Sequence, residues 1–342
     1  MAIQVTAYCT HRNPPEITFP LDAILTRDRS DPGLVSHLED VIGYIMQDGQ
    51  REMTASLYGV FRHLQRCQVQ YQFTVEGENI EAVAPWAWKA NAIVMLPDGA
   101  LRDPNGAVLI DPDTGLPDDE AQIPFLPEAR QRKAQSEVLL RNRLIELPDA
   151  LPPVVCEHEV VLKSADDVAW RAIALFIVAV RAESIASGKP IDPARLQEKS
   201  PLAFQAFTPA EKEFVFSTTP DPQTVINFAW RYEALFVLQW ALGLHPQLPF
   251  PNEICDVPLV AQTMMTQSNR DLIQNAKLRA VSEILDALDQ NYRLLWAARD
   301  ASGRQVDPPS QIDGGVISER QHALNWITGF EDAPWDDVDI PS

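Results

Sequence analysis

Val225–Leu244 reads VINFAWRYEALFVLQWALGL, and its apolar residues fall on every side of a helical wheel. A helix of that kind is buried all round, so the second half of the chain is expected to be a bundle packed about this segment. Gly243 supplies the C′ glycine that ends such a helix, expected to run from Thr224. Arg231 and Glu233 sit inside it. Two such charges exclude a bilayer span, and in a protein core they require partners. The stretch VAWRAIALFIVAVRAES, Val168–Ser184, repeats the pattern with Arg171, Arg181 and Glu183.

Start and stop signals extend the bundle in both directions. Ser164 with Asp167 makes a capping-box pattern for a helix up to Ser187, just ahead of Gly188. Thr208-Pro209-x-Glu211 combines an N-cap, a first-position proline and an acid at the third position. Between Asn275 and Arg299, Leu278, Val281, Leu285, Leu288, Tyr292 and Leu295 recur at alternating spacings of three and four, the seam of a bundle. A last helix is expected from Ser318, with Gln321 completing its cap, to Gly329.

Upstream the pattern changes. IQVTAYCT alternates as a strand, LVSHLEDVIGYIMQDG is an amphipathic helix stopped by Gly49, and LYGVFRHLQRC continues as helix. VQYQFTVEG returns to period two, with Val69, Tyr71, Phe73 and Val75 on one face. Short strands follow, joined by turns at Asp98-Gly99, Asn105-Gly106 and Thr114-Gly115. The expected architecture is an α+β N-terminal domain over residues 1–125, a helix and Pro-rich connection over 126–153, and a mostly α-helical bundle domain over 154–342.

The chain carries 28 Lys and Arg against 48 Asp and Glu, a formal charge of −20. Nucleic acid and anionic membranes are recognised by clustered cations, so neither is expected as a partner. A basic protein surface is the complementary one. Cys9, Cys67, Cys156 and Cys255 form no CxxC, and the N-terminus lacks the basic and apolar regions of a signal peptide. Reduced, buried thiols in a cytoplasmic protein are the expectation.

Three patterns invite chemistry. Cys9-x-His11, Cys156-x-His158 and the His63/Cys67 pair carry zinc-type ligands, but without the CxxC or HxxxH knuckles of structural sites. DPDTGLPDDE, Asp111–Glu120, has carboxylates for calcium, yet Gly115 and Gln122 occupy positions where an EF-hand loop needs acids. Glu319-x-x-His322 shares one helix face, but a di-iron bundle needs a second copy that this chain lacks. No metal and no cofactor are therefore expected. No G-x-S-x-G, phosphate loop or H-E-x-x-H occurs. What remains are the charges inside apolar helices, which either pair between helices or line a polar pocket. Arg231, Glu233, Arg293, Glu319, Arg320, His322 and Asn325 are the candidate pocket.

WRYEALFVLQWALGL, LPFPNEICDV, NYRLLWAARD, GVISERQHALNW and WDDVDIPS occur in that order, and together they resemble the DUF4272 family, a bacterial family of uncharacterised function. The likeness covers about residues 130–342. AYCTHRNPP, PWAWKANAIV and RDPNGAVLIDPDTG resemble the region that precedes the domain in longer members. The resemblance implies a helical domain with a signature of Trp230, Arg231, Glu233, Trp240, Arg293, Trp296, Glu319, Arg320, His322, Asn325 and Trp326. It implies no catalytic residue and no cofactor. The expected function is protein–protein interaction, in an immunity-like or accessory role toward a basic partner. The alternative is an enzyme or small-ligand binder using the Arg/Glu/His pocket of the helical domain.

Overall fold

The computed structural model describes residues 2–47 and 49–341. The chain forms two compact units, Met1–Gln131 with Val155–Val160, and Arg132–Val154 with Val161–Ser342. The architecture is α+β followed by helices, as expected.

The first unit contains β1 (Ala2–Cys9), β2 (Asp22–Asp28), α1 (Pro32–Met46), α2 (Ala55–Gln65), β3 (Val69–Glu76), α3 (Val83–Ala90), β4 (Ala92–Met95), β5 (Leu101–Arg102) and β6 (Val108–Ile110). The strands make one antiparallel sheet in the order β2-β3-β1-β4-β5-β6. Its centre is β1, paired with β3 from Ala2↔Glu76 to Cys9↔Val69 and with β4 from Thr6↔Met95 to Cys9↔Ala92. Alternation along the strands assigns the two faces. Tyr8, Ile93 and Leu101 pack against Leu34, Leu38, Val41 and Ile45 of α1 and Leu57, Val60 and Leu64 of α2. Val5, Ala7, Cys9, Val69, Phe73 and Val75 face α3, where Trp86 meets Phe73 edge-on at 6.0 Å and Tyr71 at 5.5 Å. The four residues expected to share a face on β3 do so.

The acidic turn closes one edge of this sheet. Asp118 Oδ2 accepts from Val108 N at 2.7 Å, and Asp118 N donates to Val108 O at 2.8 Å. Asp111 Oδ1 accepts from Asp113 N, Thr114 N and Thr114 Oγ1 within 3.0 Å. Carboxylates that could have faced a cation instead bind their own backbone. At the other edge β2 is exposed, with Ala23 at φ 47° where its register against β3 shifts. Neither β2 nor α3 was expected from the sequence.

α4 (Pro127–Arg141) leads into the second unit, whose elements are α5 (Ala165–Ala186), α6 (Pro193–Lys199), α7 (Pro201–Gln205), α8 (Pro209–Phe216), α9 (Pro222–Ala229), α10 (Arg231–Ala241), α11 (Val257–Met265), α12 (Asn269–Gln274), α13 (Val281–Gly303) and α14 (Gly314–Ile327). Both expected capping boxes form, at Ser164/Asp167 and Thr208/Glu211. Three expectations need correction. The segment from Thr224 to Gly243 is two helices, because Glu233 N donates to Trp230 O at 3.0 Å and tightens the chain there. Only α10 is the buried central helix; Tyr232 to Ala241 are all buried, whereas α9 buries Val225 alone.

The expected seam helix begins at Val281, since Ser268 caps the separate helix α12, which ends at Gln274. The last helix begins at Gly314 rather than Ser318. Asp313 Oδ1 caps Gly315 N at 2.8 Å and Val316 N at 3.1 Å, while Ser318 Oγ only bonds back to Gly314 O. Glycine is a poor helix former, but a Cβ on Gly315 would lie 2.9 Å from the Trp230 ring.

Phe73 is 1% exposed at the centre of the aromatic face. Phe73→Ala is expected to destabilise the first unit by about 3–5 kcal/mol, read from its denaturant midpoint. Ile24→Thr on the exposed edge strand should change it by under about 0.5 kcal/mol.

Candidate functional site

The candidate residues come together mainly between α10 and α14. Arg231 and Glu233 are two apart on α10, and Glu319 and Arg320 are adjacent on α14. Arg231 Nη1 donates to Glu319 Oε2 at 3.0 Å, and Arg320 Nε lies 3.6 Å from Glu233 Oε2. The inner pair, Glu233 and Arg320, has side chains only 3% exposed. Neutralisation is supplemented by backbone contacts: Glu233 Oε1 accepts from Cys255 N, and Arg320 Nη1 donates to Pro249 O at 2.6 Å. Burial pushes the Glu319 carboxyl up, while Arg231 pulls it down. Burial and the neighbouring Glu233 also push the Cys255 thiol up, so it is a protonated, unreactive group.

His322 lies one turn along α14 with its ring 4.6 Å from that of Trp335 at 68°. Burial lowers its pKa to about 3, and the Arg231 and Arg171 charges act in the same direction, against a hydrogen bond that the ring donates to the Trp335 backbone. The imidazole is neutral at physiological pH and packs as an aromatic. Trp335 also meets Trp326 at 5.3 Å and lies under the Arg171 guanidinium at 5.4 Å. Arg171 in turn donates to Glu211, whose Oε2 also accepts from Thr208 N in the α8 capping box. One carboxylate thus ends a helix and neutralises a neighbour.

Asn325 belongs to a line of amides. Asn291 Nδ2 donates to Gln321 Oε1 at 2.8 Å, Gln321 Nε2 to Asn325 Oδ1 at 2.8 Å, and Asn325 Nδ2 to Asp339 O at 2.9 Å. Arg293 stands apart from the α10–α14 cluster. Fully buried, it bonds both Asp289 oxygens at 2.8 and 2.9 Å, lies 3.5 Å from Glu137, and reaches Pro152 O at 3.3 Å. Glu137, Glu211, Asp289, Gln321 and the Cys255 amide were not anticipated as partners. The i, i+4 spacing of Asp289 and Arg293 is the one signal that the sequence offered.

A groove of about 450 Å³ lies beside this network, where Arg320 and Asn291 meet Trp240, Phe250 and the prolines of the 246–251 loop. Arg279 holds that loop from the other side, donating to His245 O and Pro246 O, and Arg143 stacks on Phe250 at 4.3 Å. Arg231, Glu233, Glu319 and His322 do not line it. In the first unit, His63 Nε2 bonds Tyr8 O at 2.9 Å in full burial; Cys9, Cys67 and Cys156 there, and Cys255 in the second unit, are free and buried. Among the described residues no group of three or more His, Cys, Asp or Glu is placed to hold a metal ion.

Two outcomes follow. Arg293→Ala leaves Asp289 buried and unpaired, with an expected loss of about 3–5 kcal/mol in chemical denaturation, much of it recovered in Arg293→Met/Asp289→Leu. The folded His322 pKa of about 3 lies below the unfolded value of about 6.5. Above about pH 6.5 the ring is neutral in both states and has no effect. Between these values only the unfolded state takes the proton, so stability falls on acidification, by up to about 1.4 kcal/mol per pH unit for this group. His322→Gln should flatten that slope in the second unit's urea midpoints.

The family model described as a domain of unknown function, DUF4272, matches residues 132–338. No curated protein and no solved structure matches the chain. The match takes in the α10–α14 pairs, the 246–251 loop, the buried Arg293 and the Trp335 anchor, and the chain belongs to the DUF4272 family.

Proposed function

We propose that the protein works by binding a basic protein partner rather than by catalysis, in an immunity-like or accessory role in the bacterial cytoplasm. The observation that carries this reading is the C-terminal acidic segment. Asp332, Asp336, Asp337 and Asp339 are exposed, while Trp335 at 4% and Val338 at 8% are buried between them. Asn325 and Arg299 hold the carbonyls of Asp339 and Ile340 at 2.9 Å. The carboxylates are therefore presented from a fixed backbone. A partner binding them would lose little conformational entropy on this side. With a chain charge of −20, the long-range field steers cations toward such a surface.

The alternative, a catalytic or small-ligand pocket of Arg231, Glu233, Glu319 and His322, has less support. Their charges already face one another, and the imidazole is packed against Trp335. Among the described residues no helix is long and apolar enough to cross a membrane, which is consistent with a partner met in solution.

The test is the salt dependence of a copurifying partner. Its affinity should fall about tenfold or more from low to physiological ionic strength. Asp336→Asn/Asp337→Asn/Asp339→Asn should weaken it at low salt and leave the thermal midpoint unchanged. An affinity indifferent to salt, or to the triple variant, would sink the proposal.

A further inference from the structure

His11 and His158 are far apart in sequence, but in the first unit their rings stack with centroids 4.9 Å apart and planes 14° from parallel. Backbone bonds impose this. His11 N donates to Ala90 O at 3.4 Å, Arg12 N to His158 O at 2.9 Å, and Arg12 Nη1 to Val160 O at 2.9 Å. The Glu159 carboxylate, 5% exposed, ties the strand end to the 155–160 segment. It accepts from Thr10 Oγ1 at 2.8 Å, Cys156 N at 3.0 Å and Arg66 Nη1 at 3.3 Å. The stack rests on a fully bonded base and is fixed in place.

The two rings line an open cavity of about 440 Å³ together with Trp88, Lys89, Glu128 and Arg130. Small-molecule sites span about 300–1,000 Å³. Trp88 is oriented by the bond from its Nε1 to Asn105 Oδ1 at 2.8 Å, and the Arg130 guanidinium lies over its ring at 6.0 Å. Lys89 and Arg130 outweigh Glu128, so the local sign is opposite to that of the chain. His11 Nδ1 accepts from Asn13 N at 2.9 Å. The neutral ring then carries its hydrogen on Nε2, which makes it a donor with no spare lone pair for a metal. The Cys-x-His spacing that resembled a zinc ligand pair supplies a hydrogen-bond donor instead.

We infer that this cavity binds a small oxyanion carried on a flat ring, with the anion held by Lys89, Arg130 and His11 and the ring packed on the wall of Trp88 and the histidine pair. Recognition of this kind combines cation–anion contacts with aromatic stacking in a cavity of matching size.

A pH dependence follows. Burial and the neighbouring His158 lower the His11 pKa, against Glu159 and Glu128, which raise it. Lys89 and Arg130, which also line the cavity, add positive charge. Protonation of His11 gives up the bond that Nδ1 accepts from Asn13 N, and a bound anion, by offsetting the positive charge around the ring, favours the protonated form against that loss. Binding therefore takes up a proton and tightens as pH falls below the ordinary imidazole range.

Calorimetric titration of the full chain with a nucleoside monophosphate, an aromatic carboxylate and inorganic phosphate tests the inference. At least one ring-bearing anion is expected to bind about tenfold tighter than inorganic phosphate, and tighter at about pH 5.5 than at about pH 7.5. Which of the two binds tells phosphate from carboxylate. Lys89 and Arg130 are exposed, so Lys89→Ala/Arg130→Ala should fold as the parent does and lose at least about tenfold in affinity. His158→Ala should move the pH midpoint upward. Equal binding of inorganic phosphate would overturn recognition of the ring. No binding at millimolar concentration, or binding unchanged in the double variant, would overturn the site.

Discussion

A charge can be taken into a protein core only with its opposite, and this constraint organises the second unit around α10. Removing one member of such a pair leaves an ion without water or partner, at a cost of several kcal/mol. Arg231 and Glu233 lie two residues apart at the start of the most buried helix, about 200° apart round its axis, yet one crossing helix supplies both partners. α14 supplies Glu319 and Arg320 in adjacent positions. That sets the rotation of α14 about its axis, and His322, Asn325 and Trp326 follow from it. One further donor of Arg320, Nη1, and the other oxygen of Glu233 are used on the 246–255 segment, through Pro249 O and Cys255 N. A loop rich in proline, which offers few backbone donors, is held through its carbonyls by Arg320 and Arg279.

The same constraint explains what the sequence disclosed and what it withheld. Capping boxes at Ser164 and Thr208 were legible because a cap is a local bond between residues three apart. The face of Val69, Tyr71, Phe73 and Val75 was legible because half-buried strands alternate. Charges inside apolar helices could be recognised as needing partners, but identifying those partners needs the helix crossings. Arg171 illustrates the gap: Glu211 was read as a cap residue, and its second bond to Arg171 comes from α5, forty residues away.

Where local signals competed, the sequence misled. Ser318-x-x-Gln321 has the form of a helix start, yet Asp313 binds two free amides and begins the helix before two glycines. Helix propensity argues against Gly314 and Gly315, and packing decides otherwise, since the Trp230 ring occupies the space of a side chain at 315. The break at Trp230 is invisible to periodicity for a related reason. An apolar surface on all sides carries no phase, so a single tightened turn leaves no mark in the pattern. β2 escaped for the converse reason, having too little burial to imprint an alternation.

The carboxylates of this chain also sort by what surrounds them rather than by where they cluster. DPDTGLPDDE and EDAPWDDVD look alike in composition. In the first, Asp111 and Asp118 turn inward to the backbone and finish a sheet edge. In the second, Trp335 and Val338 are the inward residues, and the aspartates between them stay exposed, Asp336 with one oxygen on Ala210 N at 3.3 Å. An apolar residue every third position in a short acidic segment is enough to make that difference, because burying each large side chain stabilises by roughly 1.5–3 kcal/mol and fixes which groups remain in water. Trp335 contributes in another way. Set against the neutral His322 and beneath Arg171, it packs the segment onto the helices that carry the buried charges. The interior pairing of α10 with α14 and the exterior display of Asp336, Asp337 and Asp339 therefore meet at a single indole.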